Sequence, residues 1–238
     1  MTDQHHVAMP NCQARSATFV ICHSLSRRRV VVIVVFALAV VAAGSAIAWD
    51  GTVPGWEAAV LKFVNGWPDW LEPIMWVIQQ VGVFAAPVVA GVIVVLFTRR
   101  WQHLVPFVMV LPLKLGIEKG IVKNLVERER PFVSVGPEID VRGQAFEGLS
   151  FPSGHSTTAF ATAILLTAFL PPRWRFVAVT WAAMVAVARM YYGEHNLLDV
   201  IAGAAIGSGF AVVLWLAFLN RFVDRTATAH CDDGRVLT

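Results

Sequence analysis

Charged side chains are scarce in this chain. Only 15% of its 238 residues are Asp, Glu, Lys or Arg, whereas 57% are hydrophobic, and the mean hydropathy is +0.63. A soluble domain usually carries about a quarter of its residues as charges, so this composition excludes an ordinary soluble protein. We therefore predict an all-α integral membrane protein.

Cysteine is also rare, and its positions exclude two further classes. Cys12, Cys22 and Cys231 lie near the chain ends, are odd in number and lack zinc-type spacing, so we expect neither a disulfide framework nor a metal site. No basic stripe with interleaved aromatic residues is present. We therefore expect no cofactor and no nucleic-acid partner, despite a sequence pI of about 9.0.

Six apolar stretches approach the roughly 20 residues that a helix needs to cross a bilayer. They cover residues 30–48, 73–97, 104–122, 156–170, 176–191 and 198–219. The third contains Lys114, Glu118 and Lys119, and we interpret Lys114 and Glu118, one helical turn apart, as a pair inside the bundle. Residues 27–223 are thus predicted to form one six-helix domain, with polar tails at 1–26 and 224–238.

Arginines at the ends of these stretches predict the orientation, because positively charged flanks remain cytoplasmic. They lie before the first stretch and after the second, fourth and sixth: Arg27, Arg28, Arg29, Arg99, Arg100, Arg173, Arg175, Arg221 and Arg225. Six spans would place all of these on one side. We therefore predict a plasma-membrane protein with both termini in the cytoplasm.

The first apolar stretch has an alternative interpretation. Arg27–Arg29, an apolar run and the sequence Ala46-Ile47-Ala48 resemble a cleavable secretory signal. The run is about 19 residues long, however, whereas the apolar part of such signals is about 7 to 15. Cleavage would also leave an odd number of spans, so a retained helix is favoured.

Three polar segments interrupt the apolar chain, and the predicted topology places them at the extracytoplasmic face. The segments are 123–131 (KNLVERERP), 152–155 (PSGH) and 189–199 (RMYYGEHNLLD). Together they offer cations, two histidines and a carboxylate, a set that suits binding a phosphate and breaking its ester or anhydride bond. Facing cations repel one another, so the empty site is expected to hold phosphate, sulfate or water.

In the first segment, Lys123 and Arg130 are seven residues apart, or nearly two helical turns. A helix continuing to Pro131 would carry both on one face, with Glu127, Arg128 and Glu129 solvated or locally paired. The alternative is a charge cluster at the lipid headgroups.

In the second segment, Ser153 is a candidate N-cap and Gly154 allows close backbone approach, so the helix start forms a phosphate cradle from which His155 projects. The alternative is an ordinary capped helix with a chance histidine.

The third segment has the most informative spacing. His195 and Asp199 are four residues apart, so on a helix the carboxylate reaches the imidazole and fixes its tautomer. A turn at Gly193 would bring Arg189 near them. A second interpretation makes Asn196 the N-cap of the last helix and Asp199 its third residue, and Asp199 is able to serve both purposes.

Taken together, the segments resemble the type 2 phosphatidic acid phosphatase superfamily, whose pattern is KxxxxxxRP, PSGH and SRxxxxxHxxxD. Every position agrees except one, because Ala188 stands where the family usually has serine. The resemblance implies that His195 is the nucleophile that becomes a phosphohistidine, with Asp199 orienting it and His155 as general acid. It implies a metal-independent phosphate site built from the following residues: Lys123, Arg130, Ser153, Gly154 and Arg189.

The expected substrate is a lipid phosphate or diphosphate in the membrane, of the polyprenyl diphosphate, phosphatidic acid or phosphatidylglycerol phosphate class. The loop 132–151, with Phe132, Phe146 and Phe151, is expected to act as a lid or substrate selector. A lipid-linked phosphotransferase would use the same phosphohistidine with an alcohol as acceptor. A transporter or scaffold would leave the motifs unexplained, and the spans argue against a soluble vanadate haloperoxidase.

Overall fold

The computed structural model describes residues 25–142 and 148–220, and in this part of the chain all regular structure is helical. Ten α-helices follow one another along the chain. They are α1 Arg27–Ala48, α2 Gly55–Asn65, α3 Glu72–Gln79, α4 Ala86–Thr98, α5 Leu104–Leu113, α6 Lys123–Val126, α7 Pro131–Ser134, α8 Gly154–Leu166, α9 Pro172–Tyr191 and α10 Leu197–Leu214. The all-α prediction is confirmed for the described residues, while both predicted tails lie almost wholly outside them.

Two of the long helices are extended or interrupted by irregular geometry. A π-helix, Lys114–Val122, joins α5 to α6, and another, Trp215–Leu219, extends α10. The second predicted span is bent, because Asp69–Gly82 and Ala86–Thr98 meet at 72°. Pro87 lies in the first turn of α4, where proline is tolerated at a helix start but blocks continuation from the preceding turn.

Two described helices, Arg27–Ala48 and Leu197–Leu219, are long and apolar enough to cross a bilayer, and the bent pair makes a third if it counts as one span. Large apolar side chains are exposed on the outside of the long helices, including α9. Phe36, Phe97 and Phe176 are 69%, 73% and 76% exposed, respectively. Apolar surface of this extent is costly in water and is typical of contact with lipid.

The helices of the described residues pack into a bundle with two distinct ends. At one end, Asn220 donates to the Leu25 carbonyl over 2.7 Å and accepts from the Leu25 amide. His103 lies at the same end, with its ring centroid 5.1 Å from that of Phe169. The three polar segments lie at the opposite end of these helices.

Close packing of α8 against α10 determines where the second polar segment lies. A Cβ at Gly203 would come within 2.4 Å of the Ser153 carbonyl oxygen, and one at Gly207 within 2.2 Å of the Thr157 carbonyl oxygen. Real Cβ atoms do not approach backbone so closely. These two glycines therefore allow the start of α8 to lie directly on α10.

Gly207→Ala should consequently lower stability and displace α8, because overpacking at a backbone contact costs about 1–3 kcal/mol. Gly209→Ala is the matched control on the same helix, since its Cβ would meet only the Ala37 Cβ at 3.7 Å. Thermal unfolding in detergent measures both variants. Equal melting temperatures would contradict the close-packing account.

Candidate active site

The three polar segments are joined by backbone hydrogen bonds. The Ser150 amide donates to the Arg128 carbonyl over 2.7 Å, and the Ser153 amide donates to the Asp199 carbonyl over 2.9 Å. The segments therefore form one continuous group, as their sequence pattern predicted, although they are spread over 77 residues from Lys123 to Asp199.

Lys123 and Arg130 meet in a different way from the one predicted. The helix ends at Val126, because Glu127 adopts a left-handed conformation with φ of 49°. Pro131 does not end that helix but begins α7, with Arg130 extended before it. The expectation that Lys123 and Arg130 lie on one helical face was wrong, although the charge of Arg130 still acts on Lys123 across the turn.

His195 lies in the turn between α9 and α10, which depends on Gly193 at φ of +67°. Its Nδ1 is 3.8 Å from Asp199 Oδ2 and 3.4 Å from the Ser150 hydroxyl, which itself hydrogen-bonds to Asp199. Asp199 Oδ2 also accepts from the Asn196 amide at 2.7 Å. Asp199 thus both caps α10 and faces the imidazole, as the two interpretations of this segment together suggested.

The electrostatic environment keeps His195 uncharged. Burial, reinforced by the charges of Arg189 and Arg130, lowers the pKa of His195 to about 4, although Asp199 acts in the opposite direction. This environment favours the neutral imidazole at physiological pH.

Arg128 holds the other side of Asp199, a role that the sequence did not suggest. Its Nη1 donates to Asp199 Oδ1 and to Glu57 Oε1, both at 3.0 Å, and its Nη2 donates to Glu57 Oε2 at 2.6 Å. All three side chains are fully buried. The expectation that Arg128 is solvated or locally paired was wrong, because it is buried and its two carboxylate partners come from distant parts of the chain.

The Glu57–Arg128–Asp199 network holds the first and third polar segments together. Glu57 also accepts from the Leu198 amide at 2.8 Å, so its carboxylate holds the first turn of α10 as well as Arg128. Each buried charge has an opposite partner, and this is the condition under which buried ions are tolerated.

His155 lies in the first turn of α8 and packs on the break in the bent helix pair. A Cβ at Gly82 would come within 2.9 Å of the His155 Cβ and carbonyl oxygen. The Ser153 amide, two residues before His155, donates to the carbonyl of Asp199, the residue that faces His195, so the start of α8 lies against the third polar segment. Ser153 occupies the N-cap position as predicted, but its hydroxyl accepts from the Ser156 hydroxyl at 3.3 Å and does not cap the helix.

Lys114 and Glu118 approach the cradle from the π-helix. A Cβ at Gly154 would come within 2.9 Å of Glu118 Oε1 and 3.2 Å of Lys114 Nζ, and Lys114 donates to the Thr158 hydroxyl at 3.0 Å. Lys114 and Glu118, the predicted internal pair, therefore lie against the start of α8, which is the predicted phosphate cradle. The unsubstituted Cα of Gly154 is what leaves room for it.

Arg189 is buried and hydrogen-bonds to two side chains. It donates to Gln79 Oε1 and to the carboxylate of Glu194. The same Glu194 carboxylate lies 3.4 Å from Arg130 Nη1, which also donates to the Glu194 carbonyl at 3.1 Å. Glu194 and Gln79 were not identified from the sequence, which led us to expect a bound ion or water among the cations and not a carboxylate of the protein itself.

The loop after Arg130 is anchored to the bundle over the residues that are described. Arg142 donates to the Tyr191 carbonyl at 2.9 Å and lies over the Tyr191 ring, so it holds the loop and is not part of the phosphate site. Phe151 is fully buried and Phe132 is 54% exposed. Of the two described aromatic residues in this loop, Phe132 is thus placed to meet a lipid and Phe151 is not, while Phe146 lies outside the described residues.

Ala188, the one departure from the family pattern, lies fully buried in an apolar cluster with Leu61 and Tyr191. The hydroxyl beside His195 comes instead from Ser150. Within residues 25–142 and 148–220, no group of three or more His, Cys, Asp or Glu side chains is arranged to hold a metal ion.

The chain is similar to known proteins in sequence and in fold. A model of the PAP2 superfamily matches residues 101–222, about half of the chain. A structure of a transmembrane PAP2-type phosphatidylglycerolphosphate phosphatase from Bacillus subtilis superposes with a TM-score of 0.60 at 23% identity, covering 83% of this chain and 96% of that one. At this identity the likeness concerns the fold alone.

Two curated relatives match over a similar region. Lipid A 4'-phosphatase from Bacteroides thetaiotaomicron is 29% identical over 149 residues, which are 58% of this chain and 66% of the relative. Undecaprenyl-diphosphatase from Sulfolobus acidocaldarius is 31% identical over 143 residues, which are 59% of this chain and 63% of the relative. The chain therefore spans slightly less than two thirds of the length of these relatives.

Arg128→Met should destabilise the protein by about 3–5 kcal/mol, because it leaves two buried carboxylates without their cation. Lys62→Met is the matched control. Lys62 contacts Glu138 at 2.8 Å, but both side chains are about half exposed, so solvent already screens the pair. Thermal unfolding of both variants in the same detergent gives the comparison. A loss for Arg128→Met no larger than for Lys62→Met would contradict a structural role for the buried network.

Proposed function

The chain belongs to the PAP2 superfamily, and from that premise we propose that it is a membrane phosphatase that hydrolyses a lipid phosphate or diphosphate through a phosphohistidine. The observation that carries the proposal is the grouping of two imidazoles and several cations at one end of a helical bundle. That bundle exposes apolar surface along its sides, so a lipid tail and the bundle favour the same environment.

His195 is proposed as the nucleophile. Its neutral ring, with Nδ1 turned toward Asp199 and Ser150, leaves Nε2 to attack phosphorus. When the phosphohistidine forms, the ring becomes positively charged, and the nearby carboxylate of Asp199 stabilises that charge. Arg128 keeps the carboxylate ionised and in place, and therefore acts as a positioning residue.

His155 is proposed as the acid that protonates the leaving oxygen and afterwards activates water. Burial and the charges of Arg189 and His195 lower the pKa of His155 to about 2, so the ring takes up the proton that it transfers only when the phosphate anion offsets these positive charges. Lys123, Arg130 and Arg189 neutralise the phosphate, and the amide at Gly154 donates from the start of α8. Phosphoryl transfer depends mostly on positioning and charge stabilisation. These side chains provide both, so we propose that the reaction needs no divalent ion.

We propose a plasma-membrane location with six spans, cytoplasmic termini and an extracytoplasmic site. Arginines flank the helix ends opposite to the site, at Arg27–Arg29, Arg99, Arg100, Arg173 and Arg175, as the positive-inside rule requires. Substrates of the polyprenyl diphosphate, phosphatidic acid and phosphatidylglycerol phosphate classes all present a phosphate at the membrane surface, where this site would meet them.

Phosphate release from these three lipid classes, measured in detergent with a chelator present, tests the proposal. His195→Ala should lose activity by several orders of magnitude, since removing a nucleophile leaves only binding and electrostatics. His155→Ala should lose more activity on substrates with poorer leaving groups. His103→Gln, at the opposite end of the bundle, is the control and should retain turnover. Equal turnover in wild type and His195→Ala would reject the mechanism.

A further inference from the structure

Glu194 places a buried carboxylate among the cations of the proposed phosphate site. The side chain is only 4% exposed, and its Oε2 contacts both Arg189 Nη2 and Arg130 Nη1. The residue lies between Gly193, which makes the turn, and His195, the proposed nucleophile. The carboxylate is therefore held by the two arginines that the family pattern assigns to phosphate.

We propose that Glu194 is an internal competitor of the substrate, whose carboxylate occupies the anion position between Arg130 and Arg189 and gives it up when phosphate binds. The inference rests on the proposed function and deepens it, because it concerns how that site admits and releases its anion. A carboxylate and a phosphate group share the same geometry of recognition by guanidinium groups.

Two observations favour exchange over simultaneous binding. A phosphate close to His195 and held by both arginines would lie against the Glu194 carboxylate, and like charges in a buried site repel strongly. Arg189 also retains a neutral partner, Gln79, on its inner side. Gln79 is able to keep the guanidinium in position after the carboxylate leaves.

The exchange has a consequence for turnover. After hydrolysis, inorganic phosphate faces a tethered carboxylate that competes for the same two arginines, which favours release of the product. Substrate must overcome the same competition, so Glu194 should weaken the binding of every phosphate ligand. If Glu194 only positioned the arginines, it would instead strengthen the binding of phosphate ligands.

The test is the binding of inorganic phosphate to the full-length protein in detergent, measured by isothermal titration calorimetry. Glu194→Gln keeps the size of the side chain and removes its charge, so it should lower the Kd for phosphate at least tenfold. Glu194→Asp withdraws the carboxylate by one methylene, so it should lower the Kd by a smaller factor, and it serves as the test if the Gln variant does not fold. Glu138→Gln, in the exposed pair with Lys62, is the charge-matched control and should leave the Kd unchanged.

Unchanged or weaker phosphate binding in a folded Glu194 variant would overturn the inference and leave the proposed function intact. Absence of phosphate binding in wild type and variants alike would overturn the proposed function, and the inference with it. Inhibition of lipid hydrolysis by added phosphate provides a second readout, and the inhibition constant should fall together with the Kd.

Discussion

A single buried guanidinium, that of Arg128, connects the parts of this molecule that must act together. It joins Glu57 and Asp199, each 71 residues away along the chain. Desolvating three ionised groups is expensive, so the arrangement is favourable only when all of them are present and hydrogen-bonded. The network therefore couples α2, the turn before α7 and the start of α10 in one geometry, and the orientation of His195 follows from it.

Small residues provide the second constraint. Gly203 and Gly207 let α8 lie against the backbone of α10, and Gly82 lets the bent helix pair lie against His155. A side chain at any of these positions would move one imidazole relative to the other. The site is thus built by close backbone contacts around a charged centre, and its chemistry depends on both.

The motif residues could be predicted from the sequence because their chemistry and spacing are local signals. Gly193, His195 and Asp199 lie within one short segment. The glycine indicates a turn, and the four-residue spacing indicates that the carboxylate of Asp199 faces the imidazole of His195. Glu57 and Gln79 gave no such signal, since each lies in an unremarkable amphipathic or apolar stretch and gains its role only through a contact across the bundle. Arg128 and Arg130 are separated by one residue, and the sequence does not show that they have different partners. After the left-handed turn at Glu127, Arg128 faces Asp199 and Arg130 faces Glu194.

The bent second span illustrates the same limit. Its apolar composition predicted one membrane-crossing helix. The chain instead forms two helical segments at 72°, and the second has a proline in its first turn. Gln79 and Gly82 reach Arg189 and His155 because of that bend. Hydropathy therefore indicated where the chain is apolar, whereas the path of the backbone determined which residues reach the site.

The most direct measurement of the central claim is the identification of a phosphorylated residue during turnover. Rapid quenching of the enzyme with phosphorus-labelled lipid substrate, followed by peptide mapping at alkaline pH, should find an acid-labile phosphoryl group on His195. His195→Ala should carry no label. A label on another residue, or a labelled His195→Ala protein, would contradict the account.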